Sequence, residues 1–400
     1  LKELGRLEEA EASLRQAISL RPENADSQFN LGTALQELGK LEEAEGIFKQ
    51  AIALRPDHTD AHNNLADTQQ ELGRLEEAVT SLRQAIAKKP EDARALLNLS
   101  TVLSYMNDLE AETISLQNVI EIDADNLGLI AGVNLALRNF LKGDFESSKE
   151  NLSAATKIQE KTSPEFKNER VYWRYLSDIL TWHEKNYLVN RRQENDENLY
   201  VLGESHSLSS HHLRIHISGI DFFCSARLIK GCKQWHLGNA FRNKYKHQFE
   251  SIFRALPKHS YVLLAIGEID CRLETGIIAQ NNKFPEKPVR ELVLATIENY
   301  LTYIINNNSH CHHNIIIQGV PAPNIDIRNQ SQEDIERLAK IIALFNCELK
   351  TQSEDNGFKF LDTHQLTNKG DGLSNGSWHL DEYHLSPEGM QAAWRTYTSC

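Results

Sequence analysis

A serine, a histidine and a carboxylate lie in two short segments whose residue types and spacing suit acyl transfer. Ser205 lies in segment 203–207 (Gly-Glu-Ser-His-Ser), directly after an apolar run of strand length, and Asp381 precedes His384 by three residues. A serine at the exit of a strand is exposed for attack, and a histidine can accept its proton. A carboxylate one turn away can hold the other ring nitrogen. We therefore expect Ser205 as the nucleophile, His384 as the general base and Asp381 as its orienting group.

The segments around Ser205 predict an α/β domain with a mainly parallel sheet. Apolar runs of strand length lie at 200–203, 261–267, 314–320 and 358–362, with helical patterns at 239–256, 287–307 and 331–350. Continuous apolar strands spaced by helices indicate a parallel sheet covered on both faces, as in a three-layer α/β/α, flavodoxin-like domain. Ligands bind at the carboxyl ends of the strands in such sheets, and Ser205 follows the first predicted strand.

Four segments occur in a fixed order in this half of the chain: 203–207, 235–239 (Trp-His-Leu-Gly-Asn), 267–272 (Gly-Glu-Ile-Asp-Cys-Arg) and 381–384 (Asp-Glu-Tyr-His). Together they resemble the SGNH, or GDSL-type, hydrolase superfamily over residues 199–400. The resemblance implies an SGNH hydrolase-like fold and a serine esterase or acyltransferase that needs no cofactor and no metal. It also implies that backbone N–H groups of Ser205 and Gly238 form part of an oxyanion hole. By family analogy alone, we expect an acyl-ester substrate, with a small acyl group on a carbohydrate as the specific guess.

Two residues depart from the pattern of that family. Glu204 replaces an aspartate, and Ile269 stands where the family's asparagine would donate to the oxyanion. Losing one such donor costs about 10² to 10³ in turnover. The candidates for a substitute donor are Arg272, Asn239 and Asn324. Arg272 is the first choice because it belongs to the same loop as Ile269, and it can equally pair with Glu268 or Asp270.

Ile269 also supports a different function class. The alternative is a catalytically weak or inactive hydrolase-like domain in a scaffold whose function is to bind a protein partner through the N-terminal region.

The first third of the sequence repeats with a period of 34 residues. Glycines head a recurring Leu-Glu-Glu-Ala phrase at Gly5, Gly39 and Gly73, and prolines close the unit at Pro22, Pro56 and Pro90. The pattern resembles the tetratricopeptide repeat, a helix-turn-helix unit. Small residues let paired helices approach, glycine permits the tight turn, and proline stops the second helix. We expect a helical solenoid over 1–160, clear to about 126 and degenerate afterwards. Within the unit at 93–126, Asn107 already replaces the glycine.

Three asparagines recur at one position of successive repeats: Asn30, Asn64 and Asn98. In repeats that resemble those of O-linked N-acetylglucosamine transferases, asparagines at this position line the concave groove and hold the backbone of an extended peptide. An amide can both donate to and accept from a peptide unit. We therefore expect a protein or peptide partner in the groove. The alternative is that asparagine is simply common at this position.

Residues 161–198 predict a helical connector between the two regions, with a helix at 169–187. Trp173, Tyr175 and Trp182 lie on this helix. A free-standing helix would expose its tryptophans, so we expect its aromatic stretch to pack the repeats onto the domain that follows.

Composition excludes several classes of partner. A net charge of −13 argues against a nucleic-acid surface, and no window approaches the roughly 20 apolar residues of a membrane span. The six cysteines, which include Cys400, are scattered, and this suits a reducing compartment and a cytoplasmic location. Adjacent side chains seldom converge on one ion, so the cluster 310–313 (His-Cys-His-His) predicts a polar turn rather than a metal site. The sequence begins at Leu1, inside a repeat, so we expect further residues upstream.

Overall fold

A computed structural model describes residues 2–283, 285–325 and 330–397, so Leu1 and Cys400 lie outside the described residues. The chain divides into two compact units. The first contains Leu1–Arg138, Glu150–Glu169 and Phe241–Ser251, and the second contains Asn139–Lys149, Arg170–Ala240 and Ile252–Cys400. The predicted boundaries at 160 and 198 stay predictions.

The repeats form consecutive helices that pack in pairs. Their bounds are α1 (Lys2–Leu20), α2 (Ala25–Glu37), α3 (Leu41–Leu54), α4 (Thr59–Glu71), α5 (Leu75–Lys88), α6 (Ala93–Tyr105), α7 (Leu109–Ile122), α8 (Leu127–Lys142) and α9 (Phe145–Ala154). The predicted helical solenoid is confirmed for this region.

The turns inside the repeats explain why glycine recurs there. Gly39 and Gly73 adopt φ angles of 74° and 72°, a left-handed conformation that glycine reaches without strain. Asn107 takes the corresponding place in the degenerate repeat with φ 60°. Asparagine is one of the few other residues that tolerate this conformation, so the turn survives without its glycine.

Small residues in the repeats give room for the neighbouring helix. Ala44, Ala51, Ala78 and Ala85 are fully buried between helices. A Cβ at Gly32 would lie only 2.6 Å from the ring of Phe48. The predicted role of small residues in bringing the helices together therefore holds.

A six-stranded mixed sheet lies at the centre of the second unit, counted over the residues that the structure describes. The strands are β1 (Glu197–Gly203), β2 (Arg214–Ile217), β3 (Ile220–Leu228), β4 (Tyr261–Ala265), β5 (Asn314–Gln318) and β6 (Lys359–Leu361). Their order is β2-β3-β1-β4-β5-β6, with β2 antiparallel to β3 and all other pairs parallel. The sheet is therefore mainly parallel, and β2 and β3 were absent from the four predicted strands.

Further helices lie in the rest of the chain. The longer ones are α10 (Lys167–Asn190), α12 (Lys244–Ala255), α15 (Val289–Asn308), α16 (Gln332–Asp355) and α18 (Pro387–Tyr397), and the shorter ones are α11 (Gln234–Gly238), α13 (Glu268–Cys271), α14 (Ile277–Lys283) and α17 (Thr363–Thr367). Successive side chains of β4 and β5 point to opposite faces of the sheet and are nearly all buried, so both faces are covered. The predicted helices correspond to α12, α15 and α16, and the predicted connector helix to α10.

The connector helix contributes to the core of the second unit. Trp182 of α10 is buried in one cluster with Val201 of β1, Leu263 of β4 and Trp394 of α18. The aromatic stretch therefore packs on the α/β domain at Trp182, which is one side of the predicted contact.

Two buried histidines, His183 and His211, and the half-buried His212 form another packed group in this unit. The rings of His183 and His211 lie 5.9 and 4.9 Å from that of Phe140, and His212 lies 5.1 Å from Phe145. Burial lowers the pKa of His183 and His212 to about 4 each, and it also lowers that of His211. These imidazoles are therefore neutral in the folded protein at neutral pH.

We expect His183→Phe to weaken the acid sensitivity of the second unit. A histidine with an unfolded-state pKa of 6.5 and a folded-state pKa of about 4 contributes stability above pH 6.5 that is lost as the pH falls toward 4. One such group loses about 2 kcal/mol between pH 7.5 and pH 5. Thermal unfolding at both pH values should show a smaller drop in Tm for the variant. His216→Gln, at an exposed histidine, is the control, and equal drops in all three proteins would contradict the expectation.

None of the helices within the described ranges combines the length and the apolar composition that a bilayer crossing requires.

Candidate active site

The segment that contains Ser205 begins at Gly203, where β1 and β4 lie very close together. A Cβ at Gly203 would lie 2.2 Å from the carbonyl oxygen of Ala265, so only glycine fits at this position. The N–H of Glu204 donates to the same carbonyl at 3.3 Å. The chain then turns into a short 3₁₀ helix, Ser205–Ser210. Ser205 therefore lies at the carboxyl end of a central strand, as the sequence predicts.

The structure brings the three predicted catalytic side chains together. Ser205 Oγ lies 2.8 Å from His384 Nε2, and His384 Nδ1 lies 2.6 Å from Asp381 Oδ2. An ionised carboxylate can only accept, so Nδ1 carries the proton and Nε2 is left to accept from the serine hydroxyl. Ser205 and His384 are 6% and 4% exposed, so these hydrogen bonds are shielded from water.

Asp381 is held in the orientation that this tautomer requires. Its Oδ1 accepts the backbone N–H groups of Tyr383 and His384 at 2.8 and 2.7 Å. Burial alone would raise the pKa of the Asp381 carboxyl. The hydrogen bond and charge interaction with His384, together with the two backbone donors, outweigh burial and hold that pKa well below its usual range. The carboxylate is therefore ionised at any pH at which the protein would be assayed.

Tyr175 completes the surroundings of the histidine. Its ring stacks on the His384 imidazole with centroids 4.2 Å apart, and its hydroxyl shares a hydrogen bond of 2.8 Å with Ser209. The sequence places Tyr175 on a packing helix and gives no sign of this contact. No local motif marks Tyr175, because the rest of α10 and the whole of β1 separate it from Ser205 in the sequence.

Asn324 supports the loop that contains Asp381. Its Nδ2 donates to the carbonyl of Asp381 at 3.0 Å, and its backbone N–H donates to the carbonyl of Glu382 at 3.1 Å. The side chain that the sequence offers as a candidate oxyanion donor is therefore engaged in positioning Asp381.

The predicted oxyanion residues Gly238 and Asn239 end α11. A Cβ at Gly238 would lie 2.9 Å from both Asn299 Cβ and the backbone nitrogen of Tyr300, so close packing of α11 on α15 already requires glycine. The N–H of Asn239 donates to the carbonyl of Trp235 at 3.0 Å. Roles of these two residues in an oxyanion hole stay predictions.

Asp270 connects α11 to the loop after β4. Its carboxylate accepts the backbone N–H groups of Gln234 and Trp235 at 2.7 and 3.2 Å. Burial raises the pKa of Asp270 to about 7, against the lowering effect of these two bonds. The second and third motifs of the resemblance are thus joined by a buried carboxyl group.

Arg272 forms an ion pair with Glu268. Its Nε and Nη2 donate to the two carboxylate oxygens at 2.8 and 2.6 Å, and its guanidinium lies 4.5 Å from the ring centroid of Tyr383. Of the roles that the sequence left open for Arg272, the structure contains the pairing with Glu268. Arg272 and Tyr383 also line a cavity of about 30 Å³ with Val320, Pro321 and Pro323.

A buried imidazole lies beside the triad and was not predicted from the sequence. His206 Nε2 donates to the carbonyl of Tyr383 at 2.8 Å, and Tyr383 lies between Asp381 and His384 in the sequence. The ring of His206 lies 5.2 Å from that of His384. Burial alone would lower the pKa of His206, but the carboxylates of Glu204 and Glu268 outweigh burial and raise it. Single ligand atoms of Glu204, His206 and Glu268 lie within 4.8 Å of one another, so these residues could hold a metal ion.

The cluster 310–313 forms a turn before β5, as predicted. His313 Nε2 donates to the carbonyl of Phe253 at 3.1 Å, and the ring of His312 stacks on that of His259. These side chains point to different partners.

The three recurrent asparagines differ in their contacts and in their exposure. Asn64 Nδ2 donates to Thr33 Oγ1 at 3.3 Å, and Asn98 Nδ2 donates to Asp67 Oδ1 at 3.1 Å, each reaching the preceding repeat. Asn30 is exposed. Burial, with a smaller effect of the nearby Glu71 carboxylate, raises the pKa of Asp67 to about 6. Bonding between repeats thus gives asparagine a structural use here, next to the predicted peptide binding.

Comparison with known proteins identifies the N-terminal region. Two models described as tetratricopeptide repeat match residues 1–59 and 39–103. This region contains tetratricopeptide repeats. The match confirms the repeat identity that the 34-residue period predicts. No curated protein matches this chain in sequence.

Several solved structures are similar to part of the chain. One is MamA from Desulfovibrio magneticus RS-1, with 22% identity, a TM-score of 0.37, and coverage of 40% of this chain and 89% of its own. YrrB, described as a TPR protein with an unusual peptide-binding site, has 20% identity and a TM-score of 0.35 over 46% of this chain and 87% of its own. A thermophilic TPR protein from Thermus thermophilus has 19% identity and a TM-score of 0.35 over 44% of this chain and 93% of its own.

Proposed function

We propose that the second unit is a serine esterase or acyltransferase and that the tetratricopeptide repeats bind a protein partner. The observation that carries the enzymatic part is the continuous hydrogen-bonded series from Ser205 through His384 to Asp381. The ordered motifs that resemble SGNH hydrolases support the same activity. The repeat match supports the protein partner, and the recurrent asparagines suggest a peptide backbone as the bound element.

Acylation begins when Ser205 Oγ attacks the carbonyl carbon of an ester. The hydroxyl proton passes to His384 Nε2, and the imidazolium that forms is stabilised by the Asp381 carboxylate. The tetrahedral intermediate then collapses as the C–O bond to the leaving alcohol breaks. That oxygen takes the proton from His384 Nε2, which leaves an acyl-Ser205 intermediate and a neutral imidazole.

Deacylation repeats these steps with a new nucleophile. His384 removes a proton from water, whose oxygen attacks the acyl carbon, and the proton then returns to Ser205 Oγ as the acid leaves. An alcohol in place of water would give acyl transfer by the same steps. A small acyl group on a carbohydrate remains the substrate guess, and it rests on family analogy.

The oxyanion site is the least supported part of this mechanism. Backbone N–H groups of Ser205 and Gly238 are the proposed donors, while Ile269 supplies none from its side chain. Because Arg272 uses Nε and Nη2 in the ion pair with Glu268, only its remaining N–H groups could replace the missing donor. We therefore expect a turnover about 10² to 10³ below that of an enzyme with all three donors.

A fluorophosphonate probe tests the enzymatic proposal directly. The wild type should be labelled on Ser205, because the probe needs a serine activated by a base. Ser205→Ala should abolish labelling, whereas Ser207→Ala, two residues further along, should keep it. Absence of wild-type labelling, together with no cleavage of short-chain aryl esters, would reject the enzyme.

A protein-interaction scaffold is the second candidate function. It is favoured by the repeat match at residues 1–103 and by the missing donor at Ile269. An unlabelled wild type that still binds a peptide selected from a random library would favour the scaffold. Loss of that binding in an Asn30→Ala variant, at the exposed member of the asparagine series, would place the peptide in the groove.

A further inference from the structure

A cluster of buried metal-ligand types lies next to the triad and plays no part in the proposed acyl transfer. Glu204, His206 and Glu268 are 1%, 2% and 8% exposed. One ligand atom of each lies within 4.8 Å of the others, close enough for one cation to contact all three after small side-chain rotations. The cluster belongs to two loops, since Glu204 and His206 flank Ser205 and Glu268 follows β4.

Two buried acceptors at this cluster have no hydrogen-bond donor among the described residues. One is the Glu204 carboxylate, for both of its oxygens, and the other is Gln318 Oε1, on a side chain that is 3% exposed. His206 Nδ1 lies 3.5 Å from Glu204 Oε1, which is longer than a normal hydrogen bond. A buried carboxylate without a partner is costly, so this arrangement itself calls for a positive ligand.

The residues that carry these acceptors also line one cavity. Glu204, His206, Glu268 and Gln318 surround a space of about 10 Å³. That is room for one particle of the size of a water molecule, and it excludes an organic ligand. A water molecule or a single metal cation fits this space, and the unpaired Glu204 carboxylate favours the cation.

The hydrogen bond of His206 sets the tautomer that a metal ligand needs. Because Nε2 donates to the Tyr383 carbonyl, the lone pair of a neutral ring is on Nδ1, the nitrogen nearest Glu204. Metal-binding histidines commonly donate their other N–H to a carbonyl in this way. Arg272 neutralises part of the charge of Glu268. Each carboxylate oxygen has a second lone pair, so Glu268 can contact Arg272 and a metal ion at the same time.

We propose that Glu204, His206 and Glu268 bind one divalent transition-metal ion, Mn²⁺ or Zn²⁺, in the cavity beside Ser205. Two carboxylates and one imidazole are a ligand set of intermediate softness, which suits these ions better than Ca²⁺. The bound ion would hold the nucleophile loop, the loop after β4 and, through His206, the acid–base loop in one arrangement. The site does not depend on the esterase activity, since none of its ligands is a triad member.

Metal titration of the full chain tests this site. The protein is stripped with a chelator and dialysed, and MnCl₂ or ZnCl₂ is added while bound metal is measured by elemental analysis. We expect one equivalent of tight binding and a rise in Tm that grows with metal concentration. Glu204→Gln keeps the side-chain size and should weaken binding by about 100-fold or more. Glu382→Gln, an exposed carboxylate near His384 in sequence, is the matched control and should bind like the wild type.

Three results would overturn the proposal. They are no saturable binding of either ion by the wild type, equal binding by Glu204→Gln, or metal bound without any rise in Tm. The positive partner of Glu204 would then be a protonated His206 and not a metal ion. The wild-type titration does not need a variant, and His206→Gln provides the second variant if Glu204→Gln does not fold. Fluorophosphonate labelling reports on Ser205 separately, so failure of the metal site and failure of the enzyme can be told apart.

Discussion

Asp381→Asn should lower the turnover of a short-chain aryl ester by about 10⁴-fold while leaving the fold intact. Asparagine keeps an oxygen for the backbone N–H groups of Tyr383 and His384, so the loop retains its two local bonds. Its other atom is an amide nitrogen, which donates. A donor facing His384 Nδ1 forces the proton of the ring onto Nε2.

The changed tautomer then removes the general base. With a proton on Nε2, His384 donates toward Ser205 Oγ and cannot accept its proton. The variant also loses the negative charge that stabilises the imidazolium in the transition state. Steady-state kinetics should therefore show a fall in kcat with little change in KM, because the carboxylate is not part of the substrate pocket.

The matched control is Glu382→Gln, which removes a neighbouring exposed carboxylate of the same loop. Its kcat and its Tm should stay close to those of the wild type. Asp381→Asn should unfold at a lower temperature, because the lowered pKa of Asp381 means that the ionised carboxylate stabilises the folded state. A fall of less than tenfold in kcat for Asp381→Asn would show that the carboxylate does not set the tautomer. A large fall accompanied by loss of the circular dichroism of the folded protein would indicate unfolding instead.

The parts of this structure that sequence predicts are those with a local physical cause. A turn that needs a left-handed residue shows as Gly39 and Gly73 at one period, and it remains visible as Asn107. The approach of Asp381 to His384 follows from a separation of three residues. The position of Ser205 can be predicted because Ser205 directly follows an apolar run. A residue that follows a buried parallel strand lies at the carboxyl edge of the sheet.

One side of the sheet lacked such a local signal. β2 and β3 contain Arg214, His216 and Asp221. Asp221 pairs with both Arg214 and His216, and Arg214 also pairs with the buried Asp196. β2 is a four-residue edge strand, and the apolar residues of β3, which pairs on both sides, are interrupted by Asp221 and Ser225. No continuous apolar run of strand length therefore marks either strand.

Contacts between distant segments were also hidden. The segment Phe241–Ser251 follows α11 in the chain but groups with the repeats. Lys244 Nζ donates to Glu71 at 2.5 Å, and the ring of Tyr245 packs edge-on against Tyr105. A helical pattern shows that one face is covered, but it cannot identify the covering element. The contact of Tyr175 with His384 was missed for the same reason.

The remaining roles depend on which partner a side chain selects. Arg272 had several acceptors within reach in sequence, and its bidentate pairing with Glu268 is a matter of three-dimensional geometry. In the sequence, Glu204 is a replacement of an aspartate by a residue with one more methylene. In the structure, its carboxylate lies beside His206 in a buried cluster. Sequence supplies the residue types in such a cluster, whereas their convergence depends on the packing of two loops.

Gly203→Ala should destabilise the second unit by more than about 4 kcal/mol, which is exceptional for the addition of one methyl group. The new Cβ would lie 2.2 Å from the carbonyl oxygen of Ala265 and 2.9 Å from its Cβ, and both atoms belong to the paired strand β4. Backbone cannot move aside as the end of a flexible side chain can. Relief therefore requires β1 and β4 to separate at their carboxyl ends.

The same separation would displace the nucleophile. Ser205 follows Gly203 by two residues, so a shift of about 1 Å would disrupt the 2.8 Å contact with His384. Fluorophosphonate labelling of any folded Gly203→Ala protein should therefore fall steeply. The mechanism makes stability and labelling decline together at this residue, although glycine itself supplies no chemical group.

Gly46→Ala is the matched control, since it makes the same chemical change in α3 of the repeats. No heavy atom lies within 4 Å of the added Cβ, and alanine is the better helix former. Chemical denaturation should show a small gain for Gly46→Ala, up to about 1 kcal/mol, with unchanged labelling of Ser205. If Gly203→Ala instead matched the wild type in both stability and labelling, β1 and β4 would not approach as closely as the Gly203–Ala265 contact requires.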